Sequence, residues 1–213
     1  MGFNSAIQWT DSTHNFWNGC SKVSAGCKFC YMHRLFDERK VNPNVVRRSD
    51  DKNFYRPLEW KDGRKIFTCS MSDFFIQEAD PWRNEAWKVI KATPQHRWLI
   101  LTKRPERIMD CLPADWGEGY KNVALGVTIE NQETVSRMHT LAEIPARVRF
   151  ISAEPLLERV DLTELSPNGV RSLERMHQVI IGGESGNEIG KYRYRITEIS
   201  WIQRMIRDVK KYS

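Results

Sequence analysis

Residues 18–31 read NGCSKVSAGCKFCY and place three thiols, Cys20, Cys27 and Cys30, within eleven positions. The other two cysteines, Cys69 and Cys111, lie far off in the chain. Thiolates are soft ligands that suit zinc or iron–sulfur clusters. A closed structural zinc site takes four ligands, and an ordinary cubane cluster takes four cysteines. Cys27 and Cys30 form a C-x-x-C hook. Cys20 joins from the loop SKVSAG, whose small residues and Gly26, with Gly19 just before it, can wrap a bulky cluster. Nearby backbone N–H groups can then bond its sulfurs. Three cysteines on a four-iron cubane leave one iron open to bind and activate a ligand. The competing chemistry is a zinc ion completed by His14 or His33 as Cys3His. Cys69, mid-strand, and Cys111, late in a helix, read as packing residues, with a hydrogen-donor role as the alternative for Cys69.

The elements that must position these residues alternate. KIFTCSMSD (65–73), RWLILTKR (97–104), NVALGVTIEN (122–131), RVRFISAEP (147–155) and HQVIIGGESG (177–186) are short apolar runs. Runs of that kind suit strands buried on both faces of a parallel sheet. Between them lie helical patterns. Asp80 and Pro81 form a cap and first turn, followed by Trp82, Ala86, Val89 and Ile90 at helical spacing. Pro105 opens a short helix through Ile108 and Met109. Asn131 caps a helix with Val135, Met138, Leu141 and Ala142 on its inner face. Thr197 caps a last helix striped by Ile199, Ile202, Met205, Ile206 and Val209. Residues 37–64 and 157–176 are polar and irregular, and read as insertions or lids. The alternation runs without a break in composition and predicts one α/β domain over residues 1–213, with the cysteine loop at 18–31.

Each predicted strand ends in polar residues: Ser70, Ser72 and Asp73; Thr102, Lys103 and Arg104; Thr128 and Glu130; Ser152 and Glu154; Gly182, Gly183 and Glu184. Parallel α/β folds place their sites at the carboxyl ends of their strands, so five such ends in succession point to one pocket. Glu154 is hard to explain as packing, because carboxylates ending apolar strands are rarely buried without a partner. Gly182 and Gly183 let backbone approach a ligand closely.

The chain has 213 residues, 40% hydrophobic and 28% charged, as expected of a globular protein. No stretch approaches the roughly 20 apolar residues needed to cross a bilayer, and the N-terminus lacks the pattern of a secretory signal. Five cysteines without an export signal predict a reducing cytoplasm over a disulfide framework. The net charge of +6 and pI near 9.1 favour an anionic partner, nucleic acid first, or else a basic surface that keeps the protein in solution. GKYRYR (190–195) interleaves aromatics and cations as single-strand binders do, or forms an amphipathic edge segment. Most of the eight tryptophans are expected in the core, with Trp9 and Trp17 walling the cysteine site.

Six segments together carry a family resemblance: FWNGCSKVSAGCKFCY, FTCSMSDFF, LILTKRPER, LGVTIEN, FISAEPLL and IIGGESG. They resemble the phage-associated three-cysteine family, phage proteins of the Gp37/Gp68 type, which is similar to the radical S-adenosylmethionine (SAM) enzymes. The resemblance implies an incomplete parallel (βα)6-type TIM-like barrel, with a first strand around residues 15–17 leading into the cysteine loop. It implies a [4Fe–4S] cluster on Cys20, Cys27 and Cys30, SAM on the open iron, an external electron donor, and hydrogen abstraction from a substrate. Phe29, the aromatic before the third cysteine, falls near the SAM adenine by that resemblance. Ser70, Ser72 or Asp73 would take the SAM amino group, replacing the usual Gly-Gly-Glu. Lys103 or Arg104 would meet the SAM carboxylate or a phosphate, and Glu130 the ribose hydroxyls.

This sequence departs from the usual C-x3-C-x2-C spacing, with six residues in the first gap. A GGE triplet does stand at 182–184, but after a different strand. The family also leads one to expect a further strand beyond the last helix. Radical modification of a nucleic acid or nucleotide is the expected activity. The rivals are a zinc-stabilised nucleic-acid-binding module without catalysis, and an iron–sulfur redox or sensor protein that never cleaves SAM.

Overall fold

The computed structural model describes residues 4–187 and 189–212. In chain order its elements are β1 (Ser12–Thr13), β2 (Trp17–Asn18), α1 (Tyr31–Glu38), β3 (Arg47–Arg48), α2 (Asp51–Phe54), β4 (Lys65–Thr68), α3 (Asp80–Ala92), β5 (Arg97–Thr102), α4 (Ile108–Cys111), β6 (Val123–Thr128), α5 (Ser136–Glu143), β7 (Val148–Ala153), β8 (Gln178–Ile181) and α6 (Ile199–Tyr212). Six strands form one sheet in the order β1–β4–β5–β6–β7–β8, and every neighbouring pair is parallel. Helices follow the strands, and the sheet curls into an incomplete TIM-like barrel. Parallel neighbours need crossover connections, which is why strand and helix alternate along the chain.

Side chains alternate between the two faces of each strand. Trp98 and Ile100 on β5, Leu125 and Val127 on β6, and Ile151 and Ala153 on β7 join the main hydrophobic core. The intervening residues Leu99, Ala124 and Phe150 pack on the other face with Trp9, Leu101 and Ile180. The Trp9 ring lies 4.8 Å from Phe67 and 6.3 Å from Phe150. Continuing that inward parity past the apolar positions reaches Lys103, Thr128, Ser152 and Glu154. The period of two therefore aims these polar residues at one end of the concave face.

Local capping follows the sequence in part. Asn131 accepts from Thr134 N and forms a capping box at the short 3-10 turn leading into α5. Asp80 is the first residue of α3 and not its cap, and its carboxylate pairs with Arg83 and Arg107. Thr197 does not cap α6: its hydroxyl donates to Leu156 O at 2.8 Å, and the helix starts two residues later. On the expected stripe Met205 is buried, whereas Ile199 and Ile206 are exposed. The first sheet strand is Ser12–Thr13, upstream of residues 15–17. Trp17 and Asn18 are extended but pair antiparallel with Arg48 and Arg47 in a separate ribbon. Residues 37–64 are accordingly less irregular than expected, since they hold β3 and α2. No helix among the described residues is long and apolar enough to cross a membrane.

Candidate active site

The carboxyl ends of the sheet strands open onto a cavity of about 290 Å³. Cys20, Cys27 and Cys30 all line it, together with Phe29 from the same loop. Across from them stand Ser70, Ser72, Asp73 and Lys103, and further round Glu154, Gly183 and Glu184. Glu130 and Gly182 lie behind that lining. Trp9 lines the cavity as expected, while Trp17 is fully buried and bonds Asp73 O through its indole N–H. Cys69 also reaches the cavity wall, and burial pushes its thiol up to about 11. Cys111, the last residue of α4, is buried and accepts a weak bond from Arg107.

The cysteine loop is held at both ends. A 3-10 turn at Ala25–Cys27 and the start of α1 after Cys30 fix the C-x-x-C hook. Gly19 N donates to Met71 O at 3.0 Å, and Cys20 N to Pro43 O at 2.7 Å. The Ser72 hydroxyl donates to Gly19 O. Asn15 bonds Met71 N and the Ser70 hydroxyl, so Ser70 and Ser72 both brace the loop and its neighbours. Burial pushes the Cys20 thiol up to about 12, with the nearby Asp73 carboxylate adding to the effect and Arg104 opposing it.

Three charged residues after β5, β6 and β8 hold the loop, the last of them through Arg195. Arg104 is buried, and its guanidinium reaches Asp73 Oδ2 at 3.1 Å and both oxygens of Ser21 at 2.9 Å. Asp73 also accepts from Thr102 Oγ1, Lys103 N and Phe75 N, so both its oxygens are occupied within the protein. Glu130 is fully buried between Arg137 at 2.8 Å and Gly26 N at 3.3 Å. Glu184 pairs with Arg195, whose guanidinium also bonds Ala25 O and stands 5.2 Å from the Phe29 ring centroid. Burial pushes the Glu184 carboxyl up, but the Arg195 side chain and N–H outweigh it and leave it below the usual carboxylate range. The residues sequence reasoning missed are Arg137 and Arg195, together with the structural work of Arg104.

Lys103 and Glu154 remain turned to the cavity. The Lys103 ammonium reaches Thr128 Oγ1 at 3.4 Å. Glu154 is exposed to solvent entering the cavity yet surrounded by protein, and burial raises its carboxyl pKa against the opposing Trp9 bond and Lys103 charge. A Cβ on Gly182 would stand 3.0 Å from Glu154 Cδ, so this glycine makes room for Glu154. In GKYRYR, Lys191 pairs with Asp37 and Arg195 with Glu184, tying the segment to α1 and to the β8 end.

Among the described residues no three His, Cys, Asp or Glu side chains stand close enough to share one metal ion. A tetrahedral zinc gathers its sulfurs to about 3.8 Å from one another. A cubane takes each thiolate on a different iron, so its ligands stand further apart. Three thiols line one cavity on a loop pinned by backbone and side-chain bonds, which matches that donor set in ligand type and number. His14 is fully buried among aromatic rings, 4.4 Å from Phe16, and is no cavity residue. His33 does line the cavity.

The fold is similar to that of spore photoproduct lyase. One single-site variant of that protein superposes with a TM-score of 0.60 at 12% identity, covering 99% of this chain and 76% of the other. A second variant, with bound AdoMet and dinucleoside spore photoproduct, gives 0.53 at 14% identity over 72% of this chain. A complex with dinucleoside spore photoproduct gives 0.54 at 14% identity over 74%. In those two comparisons the match spans about half of the other protein, 48% and 49%. At such identities the likeness is one of fold, an incomplete TIM-like barrel. No curated protein matches the chain. A family match extends over residues 4–212, its description naming neither a reaction nor a phage origin, and the chain belongs to that family, Protein of unknown function (DUF5131).

Proposed function

We propose that this protein is a radical SAM-type enzyme, with a [4Fe–4S] cluster held by Cys20, Cys27 and Cys30 and SAM bound beside it. The observation that carries the reading is the meeting of three thiols on one cavity at the carboxyl end of a parallel half-barrel. When bound, the pair supplies reductive cleavage of SAM and hydrogen abstraction from a substrate. The chain's own residues bind, orient and exclude water. Phe29 offers an aromatic face at the mouth of the cavity, and Lys103 and Glu154 offer opposite charges to the polar ends of a ligand. Trp9, Phe67 and Phe150 close the floor of the barrel and keep that end dry. Glu130 acts from behind the lining through Gly26, and Asp73, on the cavity wall, acts through Arg104. A nucleic acid or nucleotide is the substrate class, supported by the basic charge of the chain and by the dinucleoside that the similar fold of spore photoproduct lyase holds. The enzyme works in the cytoplasm with an external electron donor.

The test is anaerobic reconstitution with iron and sulfide, then SAM and dithionite, with 5′-deoxyadenosine as the product measured. Wild type produces it and Cys27→Ala does not. Iron-loaded wild type that yields none contradicts the reading. The rival zinc reading has His33 on the cavity wall, but among the described residues no three His, Cys, Asp or Glu side chains stand close enough to share one ion. That alternative requires a colourless protein carrying zinc, which metal analysis of the anaerobic preparation decides.

A further inference from the structure

Cys20 differs from the other two cavity cysteines in how it is held. Cys27 ends the 3-10 turn and Cys30 immediately precedes α1, so neighbouring elements fix their spacing locally. Cys20 is separated from them by six residues of small-residue loop, so its place must come from elsewhere in the fold. Arg104, 84 residues away in sequence, supplies a contact. Its Nη1 donates to Cys20 Sγ at 3.7 Å and to Asp73 Oδ2 at 3.1 Å, while Nη2 donates to Ser21 O and Ser21 Oγ at 2.9 Å. Arg104 is itself immobilised, because Asp73 is fixed by Thr102 Oγ1 and the N–H groups of Lys103 and Phe75. A planar fork of donors reaching three groups at once is something guanidinium provides and ammonium does not.

We infer that Arg104 is a positioning residue for the Cys20 arm of the cluster loop, locked by Asp73, and that it donates a charged hydrogen bond to the Cys20 sulfur of a bound cluster. The second half rests on the function proposed above; the first half does not. Hydrogen bonds and positive charge at a ligand sulfur favour the reduced cluster, which carries the extra electron. Removing them makes the cluster harder to reduce. Removing the fork also frees the loop whether or not a cluster is present.

The experiment compares wild type, Arg104→Lys and Arg104→Gln in two measurements. The first is amide hydrogen exchange of the cluster-free protein over residues 19–23, with β6 as internal control. Arg104→Gln should speed exchange in that segment by roughly ten- to a hundredfold, the size of a lost charged hydrogen bond, and leave β6 unchanged. Arg104→Lys should fall between the two. The second is the midpoint potential of the reconstituted cluster by redox titration. Arg104→Gln should titrate at more negative potential than wild type, and Arg104→Lys nearer to it. Wild-type exchange at 19–23 in Arg104→Gln overturns the positioning role. An unchanged potential overturns the bond to the sulfur. If Arg104→Gln does not fold, Arg104→Lys carries both comparisons. A wild type that takes up no cluster defeats the function proposed above and the sulfur bond, while the exchange measurement still decides the positioning role.

Discussion

Gly26 and Glu130 are 104 residues apart in sequence, yet a Cβ on Gly26 would stand 3.1 Å from Glu130 Cδ, and Gly26 N donates to Glu130 Oε1 at 3.3 Å. The glycine between Cys20 and Cys27 thus seats the loop against a buried carboxylate that Arg137 holds from the other side.

Gly26→Ala should therefore push the loop off its seat, because a fully buried, paired carboxylate has no room to yield. The cost expected for overpacking is about 1–3 kcal/mol. Thermal melts should show the loss, and iron uptake on reconstitution should fall with it. A variant with wild-type melting and full iron content would show that the loop does not depend on this glycine.

His14 makes acid stability testable. Its imidazole is fully buried between Phe16 and Trp98, and burial drives its pKa down from 6.5 to about 3. The unfolded chain binds a proton on this histidine below pH 6.5, while the folded chain stays neutral until about pH 3. Its contribution is fully present above pH 6.5 and is lost as pH falls toward 3, at up to about 1.4 kcal/mol per pH unit. Denaturant unfolding at stepped pH should show that slope in wild type and a flatter one in His14→Gln. Equal slopes in the two proteins refute the assignment.

The exposed face of the cysteine loop carries the substrate prediction. Lys22 and Lys28 are exposed on the cysteine loop, and the Lys28 ammonium stands 5.1 Å from the Phe29 ring centroid. The double variant Lys22→Glu/Lys28→Glu should bind a labelled single-stranded oligonucleotide more weakly. Its salt dependence should fall by about 0.7 in log–log slope for each phosphate that a lysine no longer neutralises. Matching affinity and slope in both proteins would take nucleic acid off this surface.

Much of this arrangement is local, and that part is legible in the sequence. The C-x-x-C hook, the Asn131 cap and the five apolar strand runs each depend on neighbours a few residues away. The cavity can be inferred from the polar ends because strand parity carries Lys103, Thr128, Ser152 and Glu154 to one face. What stays hidden depends on register between distant strands. Nothing adjacent to Glu130 announces Gly26 or Arg137 as its partners, so a carboxylate at a strand end reads as a ligand contact. Arg104 reads as a ligand for an anion because its burial depends on Asp73 from the preceding strand end. Trp17 and Asn18 have strand character, but only the fold shows that they pair with Arg48 and Arg47.

Mössbauer spectroscopy of protein reconstituted with ⁵⁷Fe, before and after SAM, tests the central claim most directly. Three cysteine ligands on a cubane predict about four irons per chain, one of them spectroscopically distinct and altered by SAM. A cluster whose irons are all equivalent and indifferent to SAM, or a fully loaded protein that holds zinc instead, contradicts it.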